Sequence, residues 1–354
     1  MIRKIHPGSW IALCLVLLPG TSLAAPARIV GGRALVSNQA LPRPQHAVSR
    51  PEPRPLRPFQ HDIYAPGTER TGIRPLGREL RTSARAKAAA KPSAATREAI
   101  VSTLRLAIIR VDFLADGAGA QTTGNGRFDL RRNVPGVPVD PPPHDKAFLE
   151  AHAEALRRFY SVQSYGSLDI VATVFPAEAD SAYHLEDTAD YGPWEVSQNP
   201  DIAALAERFV TDALRAADAS ADIDFGTFDA FTIVHAGPDF QGDVNLDTPF
   251  DIPSFTLVLS ESLAVTGGKV GKALVMPETS SQDDRVAALN GVFAHEFGHI
   301  LGLPDLYNIF NGVPQVGYWS LMDHGENLTV QVEDPESGDV FFADGIFPTS
   351  FDPW

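Results

Sequence analysis

Cysteine is nearly absent from this chain: Cys14 is the single one among 354 residues. It lies inside a short apolar stretch, Ile11 to Leu18, that follows the basic pair Arg3 and Lys4. Pro19-Gly20 breaks that stretch, and Ser22-Leu23-Ala24 then supplies small residues. This is the pattern of a secretory signal peptide, read here as residues 1–24. The apolar stretch is shorter than a membrane span of about 20 residues needs, so no stable membrane anchor is expected. Cys14 sits within the apolar core of the signal, which argues against lipidation. Removal of the signal leaves no cysteine, and that excludes disulfides, a thiol nucleophile and a thiolate metal ligand.

Basic residues are also scarce over most of the chain. From Ala99 onward there are 13 Lys and Arg against 39 Asp and Glu, whereas Pro26 to Glu98 holds 14 against 5. A basic arm therefore precedes an acidic body, and the two carry complementary fields. The acidic body would repel phosphates, so no nucleic-acid partner is expected. Residues 25–99 are rich in Pro, Arg and Ala, as in Pro51-Glu-Pro-Arg-Pro-Leu-Arg-Pro58, and poor in aromatic and β-branched side chains. Such a stretch buries too little apolar surface to offset its ordering entropy. It is read as a pro-segment or linker, largely disordered. As a pro-segment it has no cysteine to place on a metal; Glu52, Asp62 and Glu69 are its acidic alternatives.

The pattern becomes globular from residue 100. Leu104 to Phe113, Leu168 to Phe175, Phe228 to His235, Phe255 to Leu259 and Lys272 to Met276 read as strands. Asp145 to Tyr160 has helical apolar spacing. A second helix is expected to start at Asn199-Pro200-Asp201, with Pro200 at its first helical position and Ile202, Leu205, Phe209 and Leu214 as its stripe. The order of elements predicts an α/β (α+β) domain over 100–354, a mixed twisted sheet backed by helices.

One motif carries chemistry: His295-Glu-Phe-Gly-His-Ile-Leu-Gly-Leu-Pro-Asp305. Residues four apart share a helix face, so His295 and His299 can reach one metal ion, with Glu296 beside them as acid/base. The expected helix is capped at Ser281-Gln-Asp-Asp284, carries Val286, Leu289, Val292 and Phe293 on its core face, and ends at Gly302 before Pro304. Two imidazoles and an acid on a buried face are costly without a metal, which disfavours simple core packing. Asp243-Val-Asn-Leu-Asp247 has the alternating oxygens of a calcium loop, but Thr248 and Ser254 stand where Gly and Glu are required. An EF-hand is rejected, and calcium is left unassigned.

The run His295 to Tyr307, with Gly317-Tyr-Trp-Ser-Leu-Met-Asp-His-Gly325, resembles the M6 family of secreted metallopeptidases, the immune inhibitor A group. Phe159 to Leu168 and Val234 to Pro238 add weaker similarity, and the resemblance spans roughly residues 100 to 354. It implies a metzincin-like zincin fold with an active-site helix and a Met-turn, and zinc-dependent cleavage of protein or peptide substrates by an exported enzyme, extracellular or periplasmic. By that resemblance His295 and His299 are zinc ligands, Glu296 is the catalytic acid/base, and Met322 is an apolar floor that is not a ligand. Metzincins usually place a third histidine where this chain has Asp305. A carboxylate is a sound zinc ligand there. If Asp305 serves only the turn after Pro304, Asp323 and Glu326 are the nearest substitutes. His324 and Tyr318 stand near the position of a transition-state tyrosine in some relatives. Two other readings share these ligands: a non-catalytic M6-like binding protein, and a zinc amidase for a small molecule or cell-wall peptide. Family members continue beyond a segment like Pro348 to Trp354, so a C-terminally truncated domain is also an expectation.

Overall fold

The computed structural model describes residues 28–29, 62–64, 101–116, 121–195, 198–309, 312–334 and 338–352. The signal segment 1–24 and nearly all of 25–99 lie outside the described residues, as do Glu52 and Glu69. From that arm only two short strands are described, β1 (Arg28–Ile29) and β2 (Asp62–Tyr64).

Chain order continues with β3 (Ser102–Asp112), α1 (Lys146–Gln163), β4 (Leu168–Phe175), β5 (Tyr183–His184) and α2 (Ile202–Ala219). Then follow β6 (Ala230–Pro238), β7 (Phe255–Val265), β8 (Gly268–Thr279), α3 (Leu289–Ile300), β9 (Val330–Glu333) and β10 (Val340–Ala343). Seven strands form the main sheet in the order β2-β7-β8-β6-β3-β4, with β5 beside β3. The central strands β4, β3, β6 and β8 are parallel. β7 runs antiparallel to β8, and β2 lies parallel to β7 on its outer side. β1, β9 and β10 make a small antiparallel sheet.

The central strands are apolar on both faces because helices cover both faces. In β3 the alternation sends Leu104, Leu106 and Ile108 to one side and Ala107, Ile109 and Val111 to the other. The first set packs on α1 and α3 through Leu149, Leu156, Phe293 and Phe297. The second set packs on α2 through Phe209, Val210 and Leu214. The result is the expected mixed α/β sheet with helices on both faces. Among the described residues no helix is long and apolar enough to cross a membrane.

Two helix starts differ from the sequence expectation. α2 is capped by Asp201, whose side chain accepts from Ala204 N, so Pro200 precedes the cap instead of opening the helix. α3 begins at Leu289, not near Ser281. Asp283 and Asp284 have φ of 53° and 64°, a left-handed backbone that no α-helical turn accepts. The strands read as Phe228–His235, Phe255–Leu259 and Lys272–Met276 are longer or shifted, because pairing partners extend them beyond their apolar cores.

Candidate metal centre

α3 lies under β8 and β7 of the sheet, and its own sequence explains why it is buried on nearly every side. Phe293, Ala294, Phe297 and Ile300 join the core on the sheet side. The opposite side packs against the 320–326 segment. A Cβ on Gly291 would stand 2.0 Å from the backbone oxygen of Glu326, so that close approach requires glycine. The helix stops where expected: Leu301 is its C-cap, and Gly302 takes φ 91°. That turn swings Pro304 and Asp305 back beneath the helix.

His295 and His299 are fully buried, with ring centroids 4.9 Å apart. Each donates its Nδ1 proton to a backbone carbonyl, His295 to Leu321 O at 2.9 Å and His299 to Leu303 O at 2.7 Å. These bonds fix the tautomer, because a carbonyl only accepts. In the neutral rings Nε2 is therefore the atom with the lone pair, and both Nε2 atoms face Asp305 Oδ1, at 3.1 and 3.2 Å. The Asp305 carboxylate is 1% exposed. His299 Nε2 and Asp305 Oδ2 are buried and make no hydrogen bond. One ligand atom from each of the three residues fits within a 4.8 Å cluster. Two imidazole lone pairs and a carboxylate facing one another demand a cation, and this nitrogen and oxygen donor set suits a divalent metal.

The electrostatics say the same. Burial alone would lower the His295 pKa, but the carboxylates of Glu326, Asp305 and Glu296 outweigh it and push the imidazole up to about 10. Burial would raise Asp305, but His299 and His295 hold it well below the usual carboxylate range. The pocket is negative enough to hold a positive charge, whether proton or metal.

Glu296 is also fully buried, and Thr256 Oγ1 on β7 lies 3.0 Å from its Oε2. Glu326 stands behind the site, with Oε2 3.4 Å from His295 Nδ1. Asp323 is occupied elsewhere: Oδ2 accepts the backbone N–H groups of Gln315, Val316 and Gly317. His324 contacts Gly312 O through Nε2 at 3.1 Å and lies between the rings of Tyr307 and Tyr318. Tyr307 in turn is 6.4 Å from His295, and Trp319 is 84% exposed. Met322 sits against α3 and also ties in the returning loop, accepting from Leu306 N at 2.7 Å. Far from this site, Asp243, Asp247 and Asp283 come within 4.8 Å of one another, and Asp243 is engaged by the N–H groups of Leu246, Asp247 and Thr248.

Sequence reasoning brought together His295, Glu296, His299 and Asp305 because they share one local run. It missed Thr256, which looks like any residue of an apolar strand, and it considered Glu326 only as a substitute ligand. Neither has a local signal.

A mixed sheet with a His-Glu-x-x-His helix beneath it and a converging His-His-Asp set defines a metallopeptidase-class site. Residues 271–338, from β8 through α3 to β9, match the family model for the catalytic domain of immune inhibitor A peptidase M6, so that this segment is similar to the catalytic domain of an M6 metallopeptidase. No curated protein matches the chain.

Proposed function

We propose that the chain is an exported zinc endopeptidase, with His295, His299 and Asp305 as the metal ligands and Glu296 as the general base and acid. The observation that carries this reading is the pair of Nε2 lone pairs aimed at one buried carboxylate, with the Glu296 side chain adjoining. Zinc held there supplies Lewis-acid activation of a water and of the scissile carbonyl. The rest belongs to the chain's own groups. Nδ1 bonds to Leu321 and Leu303 orient both imidazoles and reserve Nε2 as the atom each would offer a metal. Glu296 takes the proton from the attacking water and passes it to the leaving amine. Burial of Glu296, His295 and His299 keeps bulk water from competing for that proton. Met322 supports the helix from below and binds nothing.

The domain reading extends this. Residues 1–24 act as the export signal, and 25–99 act as a pro-segment. In support, β2 lies along the outer side of β7, with the backbone of Asp62 in register with Thr256, the residue whose hydroxyl meets Glu296. Of the acidic residues considered for that arm, Asp62 is the one on this strand.

Casein hydrolysis with and without a chelator, together with metal analysis, tests the reading. One zinc per chain, loss of cleavage on chelation and recovery on zinc addition are expected. Glu296→Ala is expected to keep its zinc and lose at least about 100-fold in kcat, in line with removal of a general acid/base. If that variant cleaved casein at the wild-type rate, the mechanism would be wrong. N-terminal sequencing of exported protein, beginning near residue 25 or 100, tests the two processing steps.

A further inference from the structure

Thr256 has no obvious place on its strand. β7 sends Phe255, Leu257 and Leu259 into the core beneath α2, and the alternation turns Thr256 to the opposite face, toward α3. Its cross-strand partner is Leu274, an apolar core residue, and Thr256 itself is completely buried. Burying a hydroxyl among such neighbours is costly unless it is hydrogen-bonded. Oγ1 lies 3.0 Å from Glu296 Oε2 and 3.2 Å from Glu296 O. The hydroxyl has one proton to give. The helix carbonyl is the neutral acceptor and is served by its own helical N–H, while the carboxylate is charged and gains the stronger bond.

We infer that Thr256 is a positioning residue for Glu296: it holds Oε2, fixes the side chain in one rotamer, and leaves proton transfer to the other carboxylate oxygen. This rests on the peptidase reading. A general base works only within hydrogen-bond reach of its proton, and misplacement is costly in rate. β7 supplies a rigid anchor because β8 pins it on one side along most of its length. Val, the common residue for such a site, would keep the packing and lose the proton.

Thr256→Val and Thr256→Ser in the full chain test the inference, read by kcat, KM, zinc content and thermal midpoint. Thr256→Val is expected to lose roughly 10-fold or more in kcat, with KM within about twofold and zinc content unchanged. Thr256→Ser, which keeps the hydroxyl, is expected to recover kcat to within about threefold of wild type. In a Glu296→Gln background, Thr256→Val should lower the residual rate no further, because the two side chains act as one unit. Wild-type kcat in Thr256→Val, or a Ser variant as slow as the Val variant, would overturn the assignment while leaving the peptidase reading intact. Absence of zinc-dependent cleavage by the wild-type chain would overturn both.

Discussion

Asp140 Oδ2 accepts the backbone N–H of Leu289 at 2.8 Å, closing the first turn of the histidine-bearing helix from 149 residues away. Ala288, the residue in the N-cap position, provides no side-chain bond of its own. A helix start without a cap leaves N–H groups unpaired, and removal of a cap costs about 1 kcal/mol, with extremes near 2. Asp140→Ala is therefore expected to lower the thermal midpoint by several degrees, while Asp140→Asn, which keeps an acceptor oxygen, should lose less. Calorimetry of the two variants checks the order. Equal midpoints in wild type and Asp140→Ala would show that water serves this turn as well.

Asp305 and Asp323 are both buried carboxylates near the helix, yet they face different partners. Asp305 meets the two Nε2 atoms, whereas Asp323 gathers three backbone N–H groups. Asp305→Ala is expected to weaken zinc binding at least about 100-fold, the upper range even for groups that only support a ligand. Asp323→Asn should retain zinc near wild-type affinity. Competition titration with a chromophoric chelator distinguishes them. Full zinc affinity in Asp305→Ala would remove Asp305 from the ligand set.

Gly298 and Met322 occupy each other's space. A methyl group on residue 298 would meet Met322 Sδ at 2.6 Å and Cε at 3.2 Å. Gly298→Ala is expected to destabilise by about 1–3 kcal/mol through overpacking. Met322→Ala opens that space, so the double variant should be more stable than the sum of the two single losses predicts. Strict additivity in urea unfolding would mean that the clash is relieved elsewhere.

Asp251 gives the protein a pH signature unrelated to catalysis. Burial pushes its carboxyl up to about 7, despite bonds from Thr123, Thr248 and Gln282. An unfolded aspartate titrates near 3.9, so between about pH 4 and 7 the folded chain holds a proton that the unfolded chain has lost. Stability attributable to this group must fall as pH rises through that window, by up to about 1.4 kcal/mol per pH unit, and level off above it. Gln282 donates Nε2 to Asp251 Oδ2, and its buried Oε1 has no partner. Asp251→Asn should reverse that amide and flatten the slope. An unchanged pH profile of unfolding in the variant would assign the effect to another group.

These features differ in how far the sequence foretells them. His295, Glu296, His299 and Asp305 lie within eleven residues, where helix periodicity and one glycine turn decide their geometry. β3 and β4 are legible for a similar reason, since strand alternation and apolar runs are local. The start of α3 is not. Ser281 to Asp284 carry good capping side chains, but their backbone turns left-handed and the acceptor comes from Asp140. Thr256 is equally silent, because its meaning depends on which helix the sheet lays beneath it.

The arm touches the body at two separate edges: β1 beside β9, and β2 beside β7. Three residues of strand pairing are a weak ligand on their own, so what holds β2 in place is its covalent tether, which supplies an effective concentration of roughly millimolar. Cutting the chain between residues 64 and 101 converts that contact from intramolecular to bimolecular. With the arm acting as the proposed pro-segment, the nicked protein is then expected to be silent when concentrated and active when dilute. Activity per molecule that rises on dilution after such a cut is the measurement that checks it.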